Sequence, residues 1–138
     1  MFQQRDEIVD IPPNRVKFFG TTGKMLLPCP ATVAAVIAKI PPHKLITTEL
    51  LRKELTGQFG VEGTCPVTTK KSLQALAQDA SSKVAYWRVV NQTGGLISIF
   101  PGGVQGHAAH LRDEGFSIST GGKTPTVKQY RDSLVRFD

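Results

Sequence analysis

Apolar residues return at helical spacing in five stretches of this chain. From Thr32, Val33, Val36, Ile37 and Ile40 recur every three or four positions, and Pro41-Pro42 closes the run, which predicts a first helix. A second helix is predicted within Leu45–Leu55. There Thr47 or Thr48 supplies a capping hydroxyl, Glu49 suits the positive end of the helix dipole, and Leu50, Leu51 and Leu55 form the buried stripe. Residues 56–67, ending Cys65-Pro66, read as a glycine-rich loop. A third helix runs from Thr68 or Thr69 to about Asp79, with Leu73, Leu76 and Ala77 inward. The second and third helices together read as a helix–turn–helix-like pair with a longer connection than usual. A fourth helix is predicted at residues 105–114, with Ala108 and Leu111 inward and Gly115 just past its end. A fifth is predicted at Thr126–Phe137 through Val127, Tyr130, Leu134 and Val135.

Strand signals are fewer. Tyr86–Val90 and Leu96–Phe100 flank Asn91-Gln92-Thr93-Gly94-Gly95, which reads as a β-hairpin after the helix pair, in the position of a wing. Residues 1–24, with Pro12, Pro13, Gly20 and Gly23, read as an arm. It carries a short strand at Val16–Phe19 and is docked by Phe18 and Phe19. Ser119–Pro125 reads as a flexible link. The expected fold class is α+β, mainly α: a winged helix–turn–helix with a small hairpin wing.

Composition narrows the partners. The chain has 138 residues, 40% of them hydrophobic, enough for one cored domain with tails. Its net charge of +6 favours a polyanionic partner, nucleic acid first. Two cysteines are too few for a disulfide scaffold or a four-cysteine zinc site, so a reducing cytoplasm is expected. No apolar run approaches the ~20 residues of a membrane span, and the first residues lack the apolar stretch of a signal peptide.

Residues able to do chemistry are thinly spread. Cys29 precedes the first helix and Cys65 lies in the turn before the third, neither with an adjacent histidine to take its proton. His107 and His110 stand three apart, a spacing that can hold zinc, but no third ligand accompanies them and they read as surface histidines. Gly102-Gly103 and Gly121-Gly122 lack the pattern of a phosphate loop. Lys70, Lys71, Lys83 and Arg88 are opposed only by Asp79 between residues 69 and 90, a basic patch suited to phosphates or a solvated face. Trp87 reads either as a core anchor or, with Tyr86, as a stacking platform for a base.

Four segments in order resemble the O6-alkylguanine-DNA alkyltransferase family. They are Ile40-Pro41-Pro42-His43-Lys44-Leu45-Ile46-Thr47-Thr48, Trp87-Arg88-Val89-Val90, Gly102-Gly103 and Leu111-Arg112-Asp113-Glu114-Gly115. The resemblance spans about Met25 to Ile118. It implies a winged-helix DNA-binding domain (25–118) and says nothing of the N-terminal arm (1–24) or of the linker and C-terminal helix (119–138), which rest on the residue pattern alone. In that family a cysteine accepts the alkyl group, a histidine stands next to it, and a glutamate completes the relay. Here Tyr86, Trp87 and Glu114 stand at those places. The base-displacing arginine corresponds to about Lys70 and the phosphate-rotating tyrosine to Thr48.

The chain is thus similar to the cysteine-less alkyltransferase-like proteins, which bind alkylated guanine. That resemblance implies a non-enzymatic, monomeric DNA-binding protein with no cofactor or metal, whose partners are double-stranded DNA, alkylated or distorted, and a repair protein. The implied DNA contacts are Thr48, Thr69, Lys70, Lys71, Ser72, Lys83 and Arg88, although the arginine that matches Arg88 in the family is partly buried and ties the active-site loop together, so Arg88 reads either as that tie or as a contact. The implied base pocket is Tyr86, Trp87, Arg88 and Phe100, with Glu114 as a structural remnant of the relay. The alternatives are a protein-interaction module, a transcriptional regulator on the same fold, or an active methyltransferase using Cys65.

Overall fold

In a computed structural model of the chain, residues 5–79, 81 and 83–136 are described. Three of the helices begin where the sequence supplies a cap or a proline. The helix α1 (Val16–Phe19) is a single turn, ended by Gly20 at φ 74°. Both α2 (Pro30–Ile37) and α4 (Pro66–Gln78) start on a proline, whose fixed φ suits a first helical residue, with a cysteine in the cap position. Between them, α3 (Thr48–Phe59) is capped by Thr47, whose Oγ1 accepts from Leu50 N at 3.1 Å, and ends at Gly60 in the left-handed region. The last helix, α5 (Gly103–Asp113), buries His107, Ala108 and Leu111 and leads into Gly115 at φ 94°.

Among the described residues, seven short strands tie these helices together: β1 (Glu7–Asp10), β2 (Lys24–Leu27), β3 (Ile46–Thr47), β4 (Gly63–Thr64), β5 (Val89–Val90), β6 (Ile118–Ser119) and β7 (Thr126–Val127). A three-stranded sheet runs β1-β2-β4, with β1 antiparallel to β2 and β2 parallel to β4. Strands β3 and β5 pair in parallel, Ile46 opposite Val89, and β6 pairs antiparallel with β7. The main core gathers Leu26, Val36, Ile37, Ile46, Leu51, Leu55, Leu73, Val89 and Phe100. A second cluster joins Leu45, Val90, Leu96, Leu111 and Val127. The fold is mixed α/β.

Three expectations are corrected. Val16–Phe19 is helical; the strand of the N-terminal segment is β1 instead, and Phe18 is 56% exposed while only Phe19 packs inward. The hairpin of Tyr86–Val90 with Leu96–Phe100 does not form. Asn91 does build a tight turn, its Oδ1 accepting from Thr93 N at 2.9 Å and Gly95 N at 2.8 Å. Beyond that turn, however, Leu96 N donates to Pro125 O at 2.9 Å, and Val89–Val90 has already taken β3 as its partner. The C-terminal helix is also absent. Residues 126–135 form β7, a 3-10 turn at Tyr130–Ser133, and an extended stretch bonded to Leu45 on both sides (Leu45 N to Ser133 O and Val135 N to Leu45 O, each 2.8 Å). Distant backbone partners outcompete helix formation in so short a segment. Phe137, the end of that expected helix, lies outside the described residues.

The turn at Gly94 offers a test of this packing. Gly94 has φ 83°, and a Cβ there would collide with the Tyr130 ring. Gly94→Ala is expected to lower stability by at least ~1–3 kcal/mol, the usual cost of a strained left-handed residue. Urea unfolding of the two proteins measures it.

Candidate nucleic-acid interface

The period of α4 sorts its side chains. Thr69, Ser72, Leu73, Leu76 and Ala77 face inward, whereas Lys70 and Lys71 are exposed. Two expected DNA contacts are therefore corrected. Thr69 Oγ1 donates to Cys65 O at 2.7 Å and Ser72 Oγ donates to Pro28 O at 2.6 Å, both in the interior, so neither hydroxyl is presented to a ligand. The missed signal was their spacing, which places them on the face of Leu73 and Leu76. Lys83 is exposed and Thr48, the first residue of α3, is half-buried.

Tyr86–Arg88 forms a 3-10 turn packed against α2, α4 and α5. Tyr86 meets Phe100 edge-on, ring centres 4.8 Å apart, and Trp87 at 5.3 Å. Trp87 in turn lies flat on His110, at 4.3 Å and 9°. Burial pushes the Tyr86 phenol above its usual pKa. Tyr86 and Trp87 are both half-buried, so these rings are part of the packing and also reach the surface.

Beneath this turn, Glu114 is a hub. Its carboxylate accepts from Trp87 Nε1 at 2.5 Å, from Arg88 Nε at 2.9 Å and from His43 N at 3.2 Å, while its backbone carbonyl lies 2.6 Å from His43 Nδ1. Partial burial alone would raise the carboxyl pKa. The hydrogen bonds from Trp87, His43 and Arg88, with the guanidinium charge, outweigh it and hold the group below the usual carboxylate range. Arg88 also donates from Nη1 to Ile40 O at 2.7 Å. With side-chain exposures of 15% and 14%, the Arg88–Glu114 pair is largely buried, and Arg88 is committed to holding the 40–43 loop, the aromatic turn and the end of α5 together.

The reading of His107 as a surface residue is corrected: it is fully buried. Ile97 N donates to its Nδ1 at 2.9 Å, so the proton sits on Nε2, which donates to Trp87 O at 2.8 Å. Both ring nitrogens are thus in use, bridging the aromatic turn to the chain beyond Asn91. One signal was available, because His107 shares the helical stripe of Leu111 beside Ala108. Burial lowers the His107 pKa to about 4; the bond to Trp87 O opposes this shift and the nearby His110 adds to it. The unfolded chain takes up this proton near pH 6.5 and the folded one only near pH 4. Stability is therefore full above pH 6.5 and falls as the pH drops towards 4. About 2 kcal/mol is expected to be lost from this group by pH 5, read as a falling urea midpoint.

Both cysteines lie in the interior. Cys65 is buried; burial raises its pKa, but hydrogen bonds from Thr68 and Val67 and the charge of Arg15 bring it below the usual thiol value. Cys29 is buried beside Thr32 Oγ1. Among the described residues no histidine hydrogen-bonds either thiol.

No family model matches the chain, and no curated protein matches it. Among solved structures, the chain is similar to S. pombe Atl1 in its complex with damaged DNA containing O6-carboxymethylguanine. The TM-score is 0.58 at 18% identity, over 78% of this chain and 94% of that one. At that identity the likeness is one of fold.

Proposed function

We propose that the protein binds duplex DNA through α4 and the Tyr86–Arg88 turn, recognises alkylated or distorted bases, and transfers no alkyl group. The observation that carries this reading is the fold likeness to Atl1, whose solved complex contains damaged DNA. The geometry supports it in two ways. Lys70 and Lys71 stand outward on the helix that the resemblance makes the recognition helix. At the acceptor position stands Tyr86, an aromatic ring packed on Phe100, in place of a thiol with a base beside it. In this reading α3 and α4 are the helix–turn–helix pair, and the irregular 91–100 segment takes the place of a hairpin wing.

Arg88 and Glu114 then act as the scaffold of the site. The half-buried rings of Tyr86 and Trp87 offer stacking surface to an unpaired base. Fluorescence anisotropy at low salt tests the proposal on matched duplexes with and without one O6-methylguanine. Saturable binding to both, tighter for the alkylated duplex, is expected. No binding to either duplex overturns it in favour of a protein-interaction module on the same fold.

A further inference from the structure

On the side of α3 that meets the C-terminal segment lies an open groove of about 1290 Å³. Pockets that enclose one small molecule span roughly 300–1,000 Å³, so this groove suits a length of chain. Leu50, Leu134 and Val135 line it, half-buried rather than sealed into the core. Gly57 lies on the same face of α3, where a Cβ would meet nothing within 4 Å. A glycine inside a helix weakens it; here it leaves the helix backbone open to close approach.

The rim is basic. Lys44, Lys53, Arg131 and Arg136 line the groove against two carboxylates, Glu54 and Asp132. Among the described residues none of the four cations is held in an ion pair, and the Arg131 guanidinium lies over the Tyr130 ring at 5.5 Å.

We infer that this groove docks an acidic peptide segment of a partner protein. Its apolar side chains rest on Leu50, Leu134 and Val135 beside Gly57, and its carboxylates meet the four cations. Charge complementarity selects the sign of the partner, and the apolar floor selects a peptide over a nucleic acid, whose phosphates would use the cations alone. The inference stands apart from the DNA-binding reading, because it uses none of α4 or the Tyr86–Arg88 turn.

The test probes the full chain with an array of short synthetic peptides sorted by net charge and apolar content, then measures affinities by anisotropy. Binding is expected to require acidic and apolar residues together. It should fall by about tenfold or more in Gly57→Gln, which fills the groove with a better helix former, and in Lys53→Glu/Arg136→Glu. Lys70→Ala/Lys71→Ala should leave it unchanged. Binding of acidic peptides regardless of apolar content would overturn the inference, as would variants that bind as well as the parent, or no peptide binding at all. Displacement of the peptides by duplex DNA, with duplex binding weakened by the same variants, would assign the groove to nucleic acid instead.

Discussion

Glu114→Ala is expected to destabilise the protein by about 3–5 kcal/mol, the usual result of leaving one member of a buried ion pair behind. The variant strands three donors at once. Arg88 keeps only Ile40 O, while Trp87 Nε1 and His43 N lose their acceptor. A domain of this size has some 5–15 kcal/mol of stability in total, so the melting temperature should drop by roughly 10–20 °C. Glu114→Gln should fall between the two proteins, since its amide oxygen still accepts but carries no charge for the guanidinium. Thermal unfolding monitored by circular dichroism measures all three. Equal stability of the parent and Glu114→Ala would remove Glu114 from the scaffold. The same group sets part of the acid limit. Its folded pKa is depressed, so its contribution is present above the unfolded value and is lost as the pH falls through the folded one.

The second large effect concerns affinity. Lys70→Ala/Lys71→Ala removes two exposed cations from α4 without touching its buried face. A charge-assisted contact is worth ~1.5 kcal/mol or more, about tenfold in affinity, so the double variant should bind duplex DNA roughly a hundredfold more weakly. Each lost phosphate contact should also flatten the plot of log affinity against log salt by about 0.9. Anisotropy titrations across a salt series give both quantities. An unchanged slope would place the lysines away from the phosphates even if affinity fell.

Long periodic elements were legible in the sequence because their burial is local. The stripe Val33, Val36, Ile37, the threonine cap before α3, the inward Leu73 and Leu76 of α4, and Ala108 with Leu111 before Gly115 all stand where the spacing put them. Most strands were not, because β3 to β7 are two residues long and two residues carry no period. Val89–Val90 reads equally well beside Leu96–Phe100 or beside Ile46–Thr47, and only the distant pairing exists.

The C-terminal segment failed for the same reason, its apolar spacing outweighed by hydrogen bonds to Leu45 and Gly94. At the candidate site, the resemblance names Trp87, Arg88 and Glu114, which the fold brings into hydrogen-bond contact. Burial is less legible there: Thr69 and Ser72 place hydroxyls on the inner face of α4, and His107, read as a surface residue, lies in the buried stripe of α5.

A grip on DNA without transfer chemistry has two halves, and one experiment addresses both. The protein is titrated with a duplex carrying O6-methylguanine, and the same samples are then taken for intact-protein mass spectrometry. Saturable binding and an unaltered protein mass are expected. A stoichiometric gain of one methyl group on Cys65 or Cys29 would show transfer and refute the proposed role.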